Sequence, residues 1–414
     1  MRIGASIMIQ RKEYLEKLLG WKDEKVIKVI TGIRRCGKST LLGQFRDLLL
    51  KDGVEDKQIQ FMNFEDLELE PLLEPAALHR HIISQMMPGK MNYIFLDEIQ
   101  KVSEYQKVVD SLYIRDNVDI YITGSNAYLL SGELATLLSG RYVEINMLPL
   151  SFAEYCEVRG DGDKDVLFAE YLRRGGFPYA ATIGDDDRLE MYFEGIYNTI
   201  ILKDIEERQK RRETDPNKRK ITDIVLLKNI SRFLAGSIGS PIALKNIAAF
   251  ITSNGRKVSE NTISDYTEAL VEPYIFYPAE RFDVVGKQLL KTMPKYYMVD
   301  LGIRRHLLPR RNYDLGFSLE NVIYFELIRR GYKVCIGRVG NTEVDFVAVK
   351  NARYHYYQVT ASLTDENTFE REIRPLRNIN DNYRKTILTL DRFTVGDYEG
   401  IEVVHAVDWL LARE

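Results

Sequence analysis

Cysteine and histidine are scarce in this chain of 414 residues, which has three cysteines and five histidines. Cys36, Cys156 and Cys335 lie far apart and form no metal-ligand spacing. Single, widely spaced cysteines are typical of free thiols in a reducing compartment. The scarcity therefore argues against a disulfide framework, a zinc site or haem attachment, and it favours a cytoplasmic location.

The chain also lacks long apolar runs and a strong excess of either charge. No apolar run is long enough to span a membrane, and the apolar start at 1–9 is too short for a signal peptide. The net charge of −3 and the pI near 6.1 give no general attraction to nucleic acid or membranes. We therefore expect a soluble, intracellular protein of several domains that binds partners through local patches.

A glycine loop of a phosphate-binding type is present. The segment Gly32-Ile33-Arg34-Arg35-Cys36-Gly37-Lys38-Ser39 fits the pattern G-x-x-x-x-G-K-[ST]. The apolar run at 26–31 predicts a buried strand before the loop, and residues 39–45 predict a helix after it. Backbone N–H groups of such a loop point at the anion, whereas the alternative is a glycine turn at a helix N-terminus. We expect these residues to bind a nucleotide: Gly32, Arg34, Arg35, Cys36, Gly37, Lys38, Ser39 and Thr40.

Two adjacent acids end a second apolar run, at 91–98. In a parallel sheet such a strand is buried on both faces, and its C-terminal end opens onto the ligand site. Lys38 would neutralise the β- and γ-phosphates, while Ser39 and Asp97 would hold Mg²⁺. Glu98 would polarise the attacking water as the general base. An ordinary strand followed by an acidic turn is the alternative, and the glycine loop upstream favours catalysis.

Two further strand ends carry polar residues. The run 119–126 ends in Thr123, Ser125 and Asn126, one of which would sense the γ-phosphate or orient water, unless this is a plain turn. The run 58–63 ends in Glu65 and Asp66, which either reach the phosphate end of the sheet or cap the next turn.

The alternation of these elements predicts an α/β fold. Strands near 26–31, 58–63, 92–97, 119–123 and 141–146 alternate with helices near 39–51, 76–87, 104–115 and 127–138, which predicts a parallel sheet with helices on both faces. The predicted domains are an ATPase-like core at 1–149, a helical lid and basic linker at 150–215, a winged-helix-like module at 216–310, and a nuclease-like α/β domain at 311–414.

The middle of the chain gives mixed signals about nucleic acid. The basic segment 208–220 predicts a solvated hinge, with a nucleic-acid contact as the alternative. In the winged-helix-like module the presumed recognition helix carries Glu260, Asp265 and Glu268 and no cation, which argues against insertion into a major groove. Packing against protein is therefore favoured there, while Arg281, Lys287 and Lys291 keep a DNA contact open.

The last domain contains an incomplete set of nuclease residues. Glu320, Asp345 and the strand ending Gln358-Val359-Thr360 follow the order of restriction-endonuclease-like enzymes. Those enzymes use a helix acid, a strand aspartate and then an acid-x-Lys pair that bind Mg²⁺ and support the attacking hydroxide. Since Gln358 and Thr360 replace the acid and the lysine, we expect a degenerate, non-cleaving nuclease fold.

The combination resembles a family of prokaryotic ATPases with an AAA-like core and a C-terminal DUF4143 domain. The resemblance covers nearly the whole chain, although the family's usual Glu-x-Lys strand is lost here. The segments that carry it are Ile9-x-Arg11-x-x-Tyr14-Leu15, the glycine loop, 63–66, 95–100, 123–125, 139–141, Gly175-Gly176-Phe177-Pro178, Tyr297-x-x-Asp300-x-Gly302 and 343–346.

The resemblance implies functions for several residues. It places Arg11 among the nucleotide-binding residues and implies ATP rather than a guanine nucleotide. It makes Arg141 a sensor or trans-acting arginine on the phosphates, with a strand-start salt bridge as the alternative. A trans-acting Arg141 would require a ring or dimer, whereas a cis-acting one would not.

The sequence therefore predicts an ATPase that uses ATP and Mg²⁺ and moves its lid and C-terminal modules. The partner would be a protein or DNA, with no membrane and with a possible homo-oligomer. The alternatives are a slow nucleotide-gated switch and, less favoured, an ATP-driven nuclease.

Overall fold

The computed structural model describes residues 9–125, 140–200, 221–308 and 314–412. The chain divides into two compact units, one of residues 1–149 with 272–274 and one of residues 150–271 with 275–414. Within the described ranges no helix is both long and apolar enough to cross a membrane.

Five parallel strands form the sheet of the first unit, in the order β2–β3–β4–β1–β5. Strands β1, β3 and β4 are buried along their whole length, as expected for apolar runs covered on both faces. The predicted parallel α/β fold is confirmed, and the helix predicted at 127–138 lies outside the described residues. The strands are β1 (Ile27–Thr31), β2 (Ile59–Asn63), β3 (Asn92–Asp97), β4 (Val118–Thr123) and β5 (Tyr142–Asn146), and the helices are α1 (Lys12–Gly20), α2 (Lys38–Lys51), α3 (Pro75–Gln85) and α4 (Tyr105–Tyr113).

The second unit begins with helices and continues into an antiparallel hairpin. Seven helices among its described residues precede the hairpin, and Pro241 forms an isolated antiparallel bridge with Lys295 of the second hairpin strand. The basic linker at 208–220 falls outside the part of the chain that the structure describes. The elements are α5 (Phe152–Arg159), α6 (Lys164–Arg174), α7 (Pro178–Thr182), α8 (Asp186–Thr199), α9 (Ile224–Gly236), α10 (Leu244–Ser253), α11 (Glu260–Val271), β6 (Phe276–Asp283) and β7 (Gln288–Met298).

An eight-stranded mixed sheet completes the second unit, in the order β12–β13–β11–β10–β9–β8–β6–β7. Strand β6 pairs in parallel with β8, so the sheet continues across position 310. The hairpin and the C-terminal strands therefore belong to one sheet. The elements are α12 (Leu301–Leu307), α13 (Leu315–Arg329), β8 (Lys333–Val339), β9 (Thr342–Lys350), β10 (Arg353–Thr360), α14 (Glu366–Arg377), β11 (Arg384–Thr389), β12 (Gly396–Tyr398), β13 (Ile401–His405) and α15 (Ala406–Leu411).

A buried carboxylate joins the glycine corner between α6 and α7 to the start of α12. The Gly176 N–H donates to Asp300 Oδ2 at 2.6 Å, and the Gly302 N–H donates to Asp300 Oδ1 at 2.8 Å. Gly175 has a φ of 73°, and a Cβ there would lie 2.2 Å from Asp300 Oδ1. Two motifs that lie far apart in sequence, Gly175-Gly176 and Asp300-x-Gly302, are thus partners in one contact.

The pKa of Asp300 is expected to lie well above that of a normal aspartate. Burial raises its pKa to about 6, although backbone N–H groups, including those of Gly176, Ile303 and Gly302, oppose the rise. A folded-state pKa above the unfolded value stabilises the protein fully below about pH 4, and this stabilisation is lost as the pH rises through about 6. Carbon-13 NMR of the Asp300 carboxyl should therefore show a midpoint near 6. A midpoint near 4 would mean that the N–H groups outweigh burial.

Candidate functional site

The glycine loop runs directly from β1 into α2. Gly32 has a φ of 140°, and a Cβ there would lie 2.1 Å from the Met147 carbonyl oxygen. Gly37 adopts a φ of 105° as the residue before α2. Only glycine fits both positions without strain. The first N–H groups of α2, which have no acceptor inside the helix, therefore face the loop, with Ser39 and Thr40 exposed beside them.

Arg11 supports the loop from within the protein. Its Nη1 donates to the Cys36 carbonyl oxygen at 3.0 Å, and its Nη2 donates to the Leu148 carbonyl oxygen at 2.8 Å. Arg11 and Cys36 are both buried. These bonds give Arg11 a part in shaping the loop, and its predicted contact with the nucleotide stays a prediction.

Lys38, Ser39 and Asp97 lie together at the carboxyl end of the sheet. Lys38 Nζ donates to the carbonyl oxygens of Gly32 at 2.9 Å and Ile33 at 3.2 Å. Burial raises the pKa of Asp97, while the nearby hydroxyls of Thr123 and Ser39 oppose the rise. Asp97 Oδ2 is buried and has no hydrogen-bond partner among the described residues. A buried carboxylate oxygen without a partner is suited to a metal ion or its water.

Glu98 follows directly, and two side chains hold its carboxylate. Its φ of 54° turns the chain sharply at the end of β3. Glu98 Oε2 accepts from Gln100 Nε2 at 2.5 Å and from Ser125 Oγ at 3.1 Å. Burial raises the pKa of Glu98, but Lys38, Gln100, Arg34 and Ser125 together bring it below the usual glutamate value. Glu98 is therefore in the ionised form that a general base requires.

Thr123 bridges the two acids. Its Oγ1 donates its one proton to Asp97 Oδ1 at 2.5 Å and accepts from the Glu98 N–H at 2.9 Å. Because that proton is engaged, Thr123 orients the acids, and its predicted contact with the γ-phosphate stays a prediction. Of the other two candidates, Ser125 contacts Glu98 and Asn126 lies outside the described residues.

The two acids that follow β2 make different contacts, one with the glycine loop and one with the next turn. Glu65 forms an ion pair with Arg34 of the glycine loop at 3.6 Å. Asp66 instead accepts from the Glu68 N–H at 3.0 Å and caps the next turn. Arg34 thus pairs with Glu65 and also lowers the pKa of Glu98, while Arg35 is exposed in a left-handed conformation.

Arg141 lies away from these groups. Its carbonyl oxygen accepts from the Ile27 N–H at 2.8 Å, at the start of β1, whereas the glycine loop follows the end of β1. Its guanidinium forms a 2.5 Å ion pair with Asp110 of α4. The structure thus shows the strand-start salt bridge and does not bring Arg141 to the loop of its own chain. A trans-acting role stays a prediction.

A second charged cluster lies where β7, β9 and α13 meet. Lys295 Nζ is 3.0 Å from Glu320 Oε1, 2.9 Å from Glu343 Oε1 and 3.9 Å from Asp345 Oδ1. Burial raises the pKa of both Glu320 and Asp345, and Lys295 opposes the rise. The sequence prediction included Glu320 and Asp345 but not the lysine.

Gln358 and Thr360 take up other contacts. Gln358 Nε2 donates to Glu372 Oε2 at 2.7 Å, and Thr360 Oγ1 donates to the Ser362 carbonyl oxygen at 3.1 Å. Across the described ranges, no group of three or more histidine, cysteine, aspartate or glutamate side chains has a metal-binding arrangement. The Lys295 ammonium thus stands among acids for which the sequence predicts a degenerate nuclease site.

Comparison with protein families places this site in a known class. Residues 24–156 match the AAA domain family AAA_14, which makes the first unit an AAA-type P-loop nucleotide-binding domain. Residues 165–314 match a domain of unknown function, DUF8612. The prediction of a DUF4143 domain was therefore wrong, because the family that matches is DUF8612.

The chain belongs to the same family as an uncharacterized protein of Haemophilus influenzae. The two are 40% identical over 410 residues, which cover 98% of this chain and 99% of that protein. Uncharacterized protein MJ1544 of Methanocaldococcus jannaschii is 29% identical over 418 residues, covering 93% and 88% of the two chains. The solved structure of the Walker-type ATPase PABY2304 of Pyrococcus abyssi is similar with a TM-score of 0.48 and 16% identity, covering 72% of this chain and 95% of that one.

Proposed function

We propose that the protein is a Mg²⁺-dependent ATPase whose nucleotide state controls the binding of a protein or nucleic-acid partner by the second unit. The observation that carries this proposal is the pair Asp97 and Glu98. Asp97 offers a buried carboxylate oxygen with no partner among the described residues, and Glu98 beside it is ionised. These two carboxylates would serve as metal ligand and general base beside the phosphate-binding loop.

Each residue of the site then has a stated task in hydrolysis. The N–H groups of the loop and the Lys38 ammonium bind the β- and γ-phosphates, and Lys38 leaves the carbonyl oxygens of its own loop to do so. Ser39 and Asp97 would hold Mg²⁺, which neutralises phosphate charge when bound. Glu98 accepts a proton from the attacking water.

The contact at Asp300 supports coupling within the second unit. Gly176 and Gly302 both donate to this one carboxylate, so the corner between α6 and α7 and the start of α12 are held together. A displacement of that corner would therefore be passed directly to α12 through the Asp300 carboxylate.

The second candidate is a slow nucleotide-gated switch. It is favoured by the two hydrogen bonds that Lys38 Nζ donates to the Gly32 and Ile33 carbonyl oxygens, because nucleotide binding must break them and so changes the loop. Cleavage of DNA is not proposed, because Gln358 and Thr360 stand in place of the acid and the lysine that such nucleases use, and both make other contacts.

Steady-state ATP turnover of the full chain, measured against protein concentration, tests the proposal and the arginine together. We expect turnover that requires Mg²⁺ and is lost in the control Lys38→Ala. A specific activity that rises with concentration would support a trans-acting Arg141, and stimulation by duplex or single-stranded DNA would support a nucleic-acid partner. Slow turnover that responds to neither would favour the switch, and nucleotide binding without any turnover would refute the ATPase.

A further inference from the structure

We propose that Gln100 positions the attacking water for hydrolysis, holding Glu98 with its amide nitrogen and the water with its amide oxygen. The proposal deepens the ATPase function proposed above and rests on it. It concerns a residue to which the sequence analysis gave no role.

The contacts of Gln100 give its two amide atoms different roles. Gln100 Nε2 donates to Glu98 Oε2 at 2.5 Å. Gln100 Oε1 is buried and, among the described residues, has no hydrogen-bond partner. Turning the amide over would set its oxygen against the ionised Glu98 carboxylate, so the observed orientation is the favourable one.

The backbone presents Gln100 to Glu98. Glu98 has a φ of 54°, and a short 3₁₀ turn, Ile99–Lys101, follows it directly. The turn brings a side chain two residues further on back to the carboxylate. Because the turn is local, Gln100 can hold Glu98 without help from another element.

A buried acceptor without a partner calls for a donor, and a water molecule supplies one. Glu98 Oε2 accepts from both Gln100 and Ser125, so Glu98 Oε1 is the oxygen left to receive the proton. A water that donates one hydrogen to Glu98 Oε1 and the other to Gln100 Oε1 has both hydrogens fixed. Its oxygen lone pairs then remain for attack on the phosphate that the loop would bind.

The reaction balances without a further reactant. The water oxygen forms a bond to the γ-phosphorus, one water proton passes to Glu98, and the bond between the γ-phosphorus and the β-phosphate oxygen breaks. The products are ADP and inorganic phosphate. Gln100 exchanges no proton, so it is a positioning residue for Glu98 and the water.

The test compares Gln100→Met with Ser125→Ala. Gln100→Met keeps a similar volume and removes both amide contacts, while Ser125→Ala removes only a donor to Glu98 Oε2. We expect kcat to fall roughly tenfold to a hundredfold in Gln100→Met and less in Ser125→Ala, because only the former loses an acceptor for water. KM, and the Kd of a non-hydrolysable ATP analogue, should stay within about twofold of wild type, since neither contact binds the nucleotide.

Comparing kcat with KM separates positioning from a structural effect. A structural defect would also weaken nucleotide binding, whereas loss of positioning lowers kcat alone. Equal losses of kcat in the two variants would overturn the water contact and leave only the hold on Glu98. An unchanged kcat in Gln100→Met, in a preparation whose wild type hydrolyses ATP and whose Glu98→Gln variant does not, would overturn the inference alone. Absence of turnover in the wild type would overturn the ATPase proposal and this one with it.

Discussion

Glu98→Gln is expected to abolish ATP turnover and to leave the nucleotide bound. The amide has nearly the shape of the carboxylate but cannot take a proton from water, and loss of a general base lowers kcat by roughly 10² to 10⁴-fold. Because Lys38 and the loop N–H groups are unchanged, the Kd for ATP should stay close to the wild-type value. Single-turnover kinetics with labelled ATP, together with a nucleotide-binding titration, measures both quantities.

The matched control for this substitution is Glu16→Gln, since Glu16 is an exposed residue of α1. It makes the same chemical change away from the loop, so turnover should be unaffected. If Glu98→Gln keeps its turnover, Glu98 is not the general base, whatever else the loop does. Loss of turnover in both variants would point to damage of the fold instead.

Lys295→Met is expected to lower the free energy of unfolding by about 3–5 kcal/mol, the usual result of removing one partner of a buried ion pair. The substitution leaves the carboxylates of Glu320, Glu343 and Asp345 facing one another without the ammonium between them. Urea-induced unfolding of the full chain, followed by fluorescence, measures the change.

The pH dependence of the change in unfolding free energy shows whether the unpaired carboxylates cause it. Burial already raises the pKa of Glu320 and Asp345, and removing Lys295 raises it further. Carboxyls whose folded pKa is raised stabilise the protein as the pH falls, so the deficit of Lys295→Met should shrink toward acid pH. Lys333→Met, at an exposed position of β8, is the control and should cost little. Equal losses in the two variants, or a deficit independent of pH, would contradict the charge argument.

Local patterns in the sequence predict the first sheet and the centre of its site. Each of β1, β3 and β4 is an apolar run buried on both faces. Asp97 ends β3 and Glu98 follows it, while Lys38 begins the helix after the glycine loop that follows β1. Short-range rules are sufficient there, because a parallel sheet brings the carboxyl ends of its strands to one edge.

Contacts between distant segments could not be predicted in this way. Lys295 lies in a polar part of a strand pattern and is typical of an exposed wing, yet pairing between β7 and its neighbours buries it among acids contributed by α13 and β9. Arg11 likewise resembled a ligand-binding arginine, whereas its bonds go to carbonyl oxygens of residues 36 and 148. Gln100 was within reach of sequence reasoning, because it stands two residues after the base on a short turn.

The shared sheet limits how the chain can be divided or exchanged. Strand β6 is paired on one side with β7 and on the other with β8, and Lys295 takes its counter-charges from residues beyond 310. A fragment that ends near 310 would carry an open strand edge and a lysine without its acids, which are features that promote aggregation and misfolding. Recombination between relatives should therefore give folded proteins only where the segment from the hairpin to the C-terminal strands is exchanged as a whole.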